Sequence, residues 1–170
     1  MPLFSPTTML SELTYNPALL STTGLTKIGN LTAAGGLAAA FDGDEDQTQA
    51  LGAYNSGTAE GFVGVDWGSG VTKVITTISI ISSDNEGWDA ASNSGLYDFT
   101  LQGSSDNFSA SIIDLGETLG AAEGGTSKQT VVVTATTLAA YRYHRVKITK
   151  QGGALMAITC AELKLTGYAP

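Results

Sequence analysis

The sequence predicts an all-β sandwich, on three observations. From residue 24 onward the apolar residues recur with a period of two, the spacing that sends alternate side chains to opposite faces of a strand. The runs are rich in Val, Ile and Thr, which suit a pleated, half-buried surface. Between the runs lie clusters of Gly, Ser, Asn and Asp, such as SDNEGWDAASNSG (83–95) and GETLGAAEGGTSK (116–128), which read as turns. No heptad pattern, solenoid-length repeat or strand–helix alternation competes with this reading.

The elements follow in chain order. Residues 1–23 stand apart, holding Pro2, Pro6 and Pro17 of the chain's four prolines. Met9, Leu10, Leu13, Leu19 and Leu20 are apolar positions among Ser and Thr. At most a short helix fits around 8–14, with Thr7 or Thr8 as cap and Glu12 in its first turn. Apolar side chains left in water cost free energy. Residues 1–23 are therefore expected to be an arm for anchoring or oligomer contact, with a loose terminus as the alternative. Residues 24–170 form the sandwich. Its strands are expected at 24–29, 61–67, 72–82, 96–103, 109–115, 129–136, 141–149 and 156–166. In 72–82, Val74, Ile78 and Ile80 share one face and Ile75 and Ile81 the other; in 129–136, Val131 and Val133 alternate with Thr130, Val132 and Thr134.

A chain of 170 residues is most simply one domain with a substantial core. Its charged fraction is only 14% and its net charge is −8. Binding nucleic acid through phosphates needs clustered Lys and Arg, and eight basic residues spread along the chain do not supply that. The acidic balance also disfavours anionic membrane surfaces and suits cations. Cys160 is the sole cysteine, so no internal disulfide staples the fold. The start, MPLFSPTTML, lacks the basic and apolar regions of a signal peptide. No stretch reaches the ~20 apolar residues of a membrane span. Synthesis without export, combined with a Gly/Ser/Thr/Ala-rich surface, predicts a virion component; an extracellular protein exported by another route is the alternative.

No Walker, dinucleotide or GxSxG motif is present. His144, the only histidine, has no marked Ser or Cys partner, and Cys160 sits in an apolar strand and reads as buried. Four carboxylates crowd into Asp42-Gly43-Asp44-Glu45-Asp46, which reads either as a cation-stabilised loop or as a solvated Asx turn. Trp88 lies in a polar loop with Asp84, Asn85 and Asp89. An exposed aromatic face there could stack on a sugar ring while the polar residues hold its hydroxyls, or Trp88 could plug its own loop. Tyr54 and Asn55, in the loop after the acidic turn, are a second candidate pair.

Four segments then point to a family: AAAFDGDEDQT (38–48), GVDWGSGVTKV (64–74), LYDFTLQGSSD (96–106), and YRYHRVKIT (141–149) followed by ITCAELKLTG (158–167). In this order they resemble the discoidin, or coagulation factor V/VIII C-type, domain of the galactose-binding-like β-sandwiches. The resemblance covers about 24–168 and implies a jelly-roll sandwich that recognises ligands and is not a catalyst. It implies a structural calcium near the FDGD turn, with Asp42, Asp44, Thr48 and Glu162 at the matching positions. One extra residue precedes Thr48, and Ala50 stands where the family has Trp. Trp67 replaces the Leu of VDLG and is expected in the core, as are the Tyr and Arg of the YRY strand. The terminal disulfide of many animal members is missing, which points to bacterial or viral members. The expected function is a non-enzymatic virion surface or attachment module that binds cell-surface glycan or decorates a phage-like particle. It would be homo-oligomeric and joined to other virion proteins through residues 1–23. A purely structural virion assembly protein and a secreted lectin-like module are the alternatives.

Overall fold

The computed structural model describes residues 16–46, 53–55, 60–82, 96–121, 128–151 and 158–170, and in it the period of two becomes two facing antiparallel sheets. The first sheet has the order β2 (Thr26–Gly29), β5 (Glu60–Asp66), β11 (Tyr143–Gln151), β7 (Leu96–Ser104), β8 (Ile113–Ala121). The second runs β1 (Ala18–Leu19), β13 (Glu162–Tyr168), β6 (Lys73–Ile81), and β6 also pairs with β9 (Thr130–Thr134) and β10 (Ala140–Tyr141). A small third sheet joins β12 (Ile158–Cys160), β4 (Ala53–Asn55) and β3 (Ala33–Ala34). One helical turn, α1 (Gly36–Ala39), leads into the acidic turn. Among the described residues no helix is long and apolar enough to cross a membrane.

Alternation decides what each strand buries. In β9, Val131 and Val133 are buried and Thr130, Val132 and Thr134 are exposed. In β5, Val63 and Val65 point into the core, and β11 answers with Val146 and Ile148. Ile75, Ile78 and Ile80 of β6 and Leu163 and Leu165 of β13 close the core from the second sheet. Ile75, and not Val74 as the alternation predicts, joins Ile78 and Ile80 there, because the pairing with β13 shifts register between Thr166 and Gly167. Each such side chain contributes about 1.5–3 kcal/mol on burial, and this core holds the fold without a disulfide. Trp67 is 5% exposed and belongs to the core, as expected.

One strand lies elsewhere than expected. The sequence pattern placed it at 109–115, but a loop occupies 105–112 and β8 runs Ile113–Ala121. A local side-chain turn and a close approach between strands explain the shift. The Asp106 carboxylate accepts the N–H groups of Ala110 and Ser111 at 3.1 and 3.0 Å and closes the loop on itself. Gly116 then lets β8 approach the end of β9, where a Cβ would sit 2.2 Å from the Thr134 carbonyl oxygen. The N–H groups of Thr136 and Thr137 donate to the Leu115 carbonyl at 2.7 and 2.9 Å. A segment that reads as a turn, GETLG, is therefore an edge strand.

Residues 18–20, within the segment drawn as an arm, lie on the sandwich. Ala18 and Leu19 pair with Gly167 and Thr166, the Leu20 N–H donates to the Leu165 carbonyl at 2.9 Å, and Leu20 packs on the core. Residues 1–15 are outside the described set. The strand registers also define two ends. Ile81, Leu96, Ala121, Thr130, Gln151 and Glu162 share one end; Asp66, Ser104, Ile113 and Tyr143 share the other.

Candidate functional site

The acidic turn is built from consecutive side-chain turns. Asp42 Oδ1 accepts the Asp44 N–H at 2.9 Å, and Asp44 Oδ1 accepts the Asp46 N–H at 3.0 Å. Gly43, at φ 86°, donates its N–H to Glu162 Oε2 at 3.1 Å, and the Leu163 N–H donates to the Ala40 carbonyl at 2.7 Å. The turn is thus tied to the start of β13. Lys164 pairs with Glu45 and Lys128 with Asp46. Glu162 is 6% exposed, and its carboxyl is pushed up to about 7. Burial is the largest cause; Asp42 and Glu45 add to it, while the Gly43 N–H and Lys164 oppose it. The structure therefore brings Asp42 and Glu162 into one electrostatic unit, while Thr48 lies outside the described residues. Among the described residues no three His, Cys, Asp or Glu side chains converge as metal ligands. A buried carboxylate beside like charges suits a hard cation, but calcium takes about six to eight oxygens, so main-chain carbonyls and water would have to supply most of them.

The first sheet's outer face carries an arrangement that sequence reading missed. The β11 register sets Arg145 opposite Gly64 on β5 and Gln102 on β7. A Cβ at Gly64 would fall 2.6 Å from that of Arg145, so glycine leaves the arginine stem its room. Arg145 Nε–H donates to Gln102 Oε1 at 2.8 Å, and Gln102 Nε2–H donates to Asp114 Oδ1 at 2.8 Å. The guanidinium carbon lies 4.1 Å from the Phe62 ring centre and 3.9 Å from that of Phe108. Phe108 meets Tyr143 edge-on at 6.5 Å. Burial lowers the Arg145 pKa, opposed by Glu60 and Asp114. Beside this stack opens a cleft of about 300 Å³, completed by Ile28, Gly29, Asn30 and Asn107. The sequence places the arginines of this strand inside the sandwich; instead β11 turns Val146 and Ile148 inward, which sends Arg145 to the outer face. The partner rings of Phe62 and Phe108 come from distant segments and left no local trace.

The remaining charged and polar residues of the YRY strand serve the fold. Arg142 grips Asp66 with two hydrogen bonds of 2.7 and 2.8 Å, and this contact is the main cause holding the Asp66 carboxyl below its usual range. Trp67 Nε1–H donates to His144 Nδ1 at 2.9 Å. That bond makes Nδ1 an acceptor, so the ring is neutral with its proton on Nε2. His144 is fully buried, and burial lowers its pKa to about 3. No Ser, Cys or carboxylate partner makes it a catalytic base among the described residues. Cys160 is fully buried, with its thiol pushed well above the usual range by burial.

Of the candidate sugar-binding residues, Asp84, Asn85, Trp88 and Asp89 lie outside the described set, between Ser82 and Leu96. Tyr54 and Asn55 are strand residues, not loop residues: β4 pairs Tyr54 with Thr159 and Asn55 with Ile158. Ladder hydrogen bonds to β12 and β3 on its two sides draw this short segment out of the expected loop.

No protein-family model matches the chain. No curated protein matches it either. Solved structures do. The C-terminal domain of a chitobiase from Bacteroides fragilis is 14% identical, with a TM-score of 0.61 over 90% of this chain and 99% of that one. An F5/8 type C domain from the same organism is 12% identical, with a TM-score of 0.58 over 91% and 99%. The family 32 carbohydrate-binding module of C. perfringens NanJ, in complex with galactose, is 16% identical, with a TM-score of 0.54 over 89% and 99%. Sheet order, core and these likenesses agree: the chain has the discoidin-type, F5/8 type C β-sandwich fold.

Proposed function

We propose that the chain is a non-catalytic carbohydrate-recognition module. The observation that carries this reading is the fold it shares with the galactose-bound module, over 89% of this chain and 99% of that one. A shared fold does not by itself imply a shared function, and two features of this chain support the step. A disulfide-free but fully packed sandwich gives loops a rigid mount. The end defined by Ile81, Leu96, Ala121 and Gln151 is where the chain enters and leaves the segment that holds Asp84, Asn85, Trp88 and Asp89. A tryptophan face stacked on a sugar's C–H patch, with carboxylate and amide groups on its hydroxyls, is the chemistry that segment offers.

The finer reading is a module on the surface of a phage-like particle that binds cell-surface glycan. The residues ahead of β1, not the whole of 1–23, would attach it, and the sparsely charged composition supports this setting. A structural calcium would sit at Asp42, Asp44, Thr48 and Glu162, supported by the buried, like-charged environment of Glu162. A glycan array on the isolated protein tests recognition, with galactose-terminated glycans expected to bind and Trp88→Ala to abolish binding. Silence across the array, together with full function of Trp88→Ala particles, would favour an assembly role.

A further inference from the structure

We propose that the cleft at Arg145 is a second ligand site, and that it takes the carboxylate of an acidic sugar. The cleft lies on the outer face of the first sheet, beside the 105–112 loop, at the end opposite Ile81, Leu96 and Gln151. It therefore lies away from Ile81 and Leu96, between which the chain runs through the Trp88 segment. The carboxylate is inferred from Arg145 alone; the sugar rests on the recognition function proposed above.

The two arginines of the strand differ in what they hold. Arg142 is closed by Asp66. Arg145 has no carboxylate within ion-pair distance among the described residues. Its Nε–H is taken by the neutral Gln102, which is itself held by Asp114, and its two Nη groups have no hydrogen-bond partner among the described residues. Glu60 and Asp114 act on Arg145 only from beyond ion-pair distance, and a part-buried cation without a directly paired carboxylate is costly to desolvate. The Nη fork matches a carboxylate bidentately, and the rings of Phe62 and Phe108 hold the guanidinium plane in place before any ligand arrives.

The cleft's other features suit a single pyranose. About 300 Å³ is at the lower end of small-molecule sites, room for one ring and not a chain. Ile28 and Phe62 offer apolar wall for ring C–H groups, and Asn107 stands exposed at the rim. Asn107 and Phe108 both adopt left-handed backbone, at φ 58° and 60°, which side-chain-bearing residues rarely do in succession. Asp106 enforces it. Its carboxylate accepts the Ser104 hydroxyl at 2.7 Å as well as the Ala110 and Ser111 N–H groups, while Ser104 Oγ accepts the Phe108 N–H at 2.9 Å. Strain imposed by its surroundings clusters at ligand sites, and here it delivers the Phe108 ring to Arg145.

The test is an NMR titration of the isotope-labelled full chain with galacturonate, N-acetylneuraminate, galacturonate methyl ester, galactose and acetate. At least one acid sugar is expected to move the signals of Ile28, Phe62, Asn107, Phe108 and the Arg145 side chain saturably at millimolar concentration, and the two acids distinguish a uronic from a sialic ligand. The ester should bind about tenfold more weakly, having lost the charge-assisted pair. Arg145→Lys, which keeps the charge but loses the fork, and Phe108→Ala, which removes a wall, should each weaken the acid sugar by about tenfold or more, with the melting temperature showing that the fold is kept. Should Arg145→Lys unfold, Phe108→Ala and the ester still decide. The proposal is overturned if no acid moves the cleft signals, or if ester and galactose move them equally well. Acetate matching the acid sugars would overturn the sugar assignment. Sugars that bind only at the Trp88 end would remove the cleft and leave the recognition function standing. Acid sugars in the cleft with a silent glycan array would keep the cleft and remove the Trp88 segment as the recognition site.

Discussion

His144 and Glu162 are both buried and both shifted, yet they load the fold in opposite directions with pH. His144 has a folded pKa of about 3 against 6.5 in the open chain, so its contribution is complete above pH 6.5 and is lost as pH falls toward 3. Glu162 has a folded pKa of about 7 against 4.5, so its contribution is complete below 4.5 and is lost as pH rises through 7. Between pH 4.5 and 6.5 the two slopes oppose each other. Two expectations follow at this scale. Replacing His144 by Phe strands the Trp67 indole N–H, at about 1–3 kcal/mol, whereas His144→Gln keeps an acceptor and flattens the acid limb. Urea unfolding at several pH values reads both effects, and an unchanged acid limb in the Gln variant would count against burial as the cause. In chelator, Glu162→Gln should be more stable than the parent above pH 7 and lose the decline between 4.5 and 7. Added calcium should then raise the parent's melting temperature and leave the variant's where it was; a parent indifferent to both calcium and chelator would remove the metal site.

Elements defined by alternation were legible and elements defined by tertiary contact were not. The Thr-Val-Val-Val-Thr run of β9 declares its strand, because its burial follows the period of two, whereas β6 departs from that period at the register shift beside Ile75. The FDGD turn and the Glu of the last strand were legible through family likeness, and the structure joins them at Gly43. β8 was misplaced because the Asp106 side chain closes a local turn on the N–H groups of Ala110 and Ser111, and because Gly116 works as a spacer against Thr134 and not as a turn residue. The Arg145 cleft was invisible for a related reason: register, a left-handed phenylalanine and a phenylalanine from another strand must coincide. The spacer role predicts that Gly116→Ala costs about 1–3 kcal/mol, since the added carbon meets backbone and the strands must part. The neighbouring, exposed Glu117→Ala should change stability by no more than about 0.5 kcal/mol. Equal denaturant midpoints for the two variants would contradict that role.

At the scale of the whole molecule, the start of the described chain is part of the sandwich. Removing residues 1–17 should leave the melting temperature unchanged, because β1 and Leu20 remain. Removing 1–23 strips the edge of β13 and the Leu20 side chain from the core. That loss should cost about 1.5–3 kcal/mol, or roughly 2–8 °C. If instead the shorter deletion alone abolishes oligomerisation or particle incorporation, attachment resides in residues 1–17 and is separable from folding. The pairing of Ala18 with Gly167 has a wider consequence. Chain continuing backward from β1 or forward from β13 departs from one pole of the sandwich, the pole opposite Ile81, Leu96 and Gln151. A carrier fused at either terminus therefore joins the same pole and leaves the pole of Ile81, Leu96 and Gln151 clear of the junction.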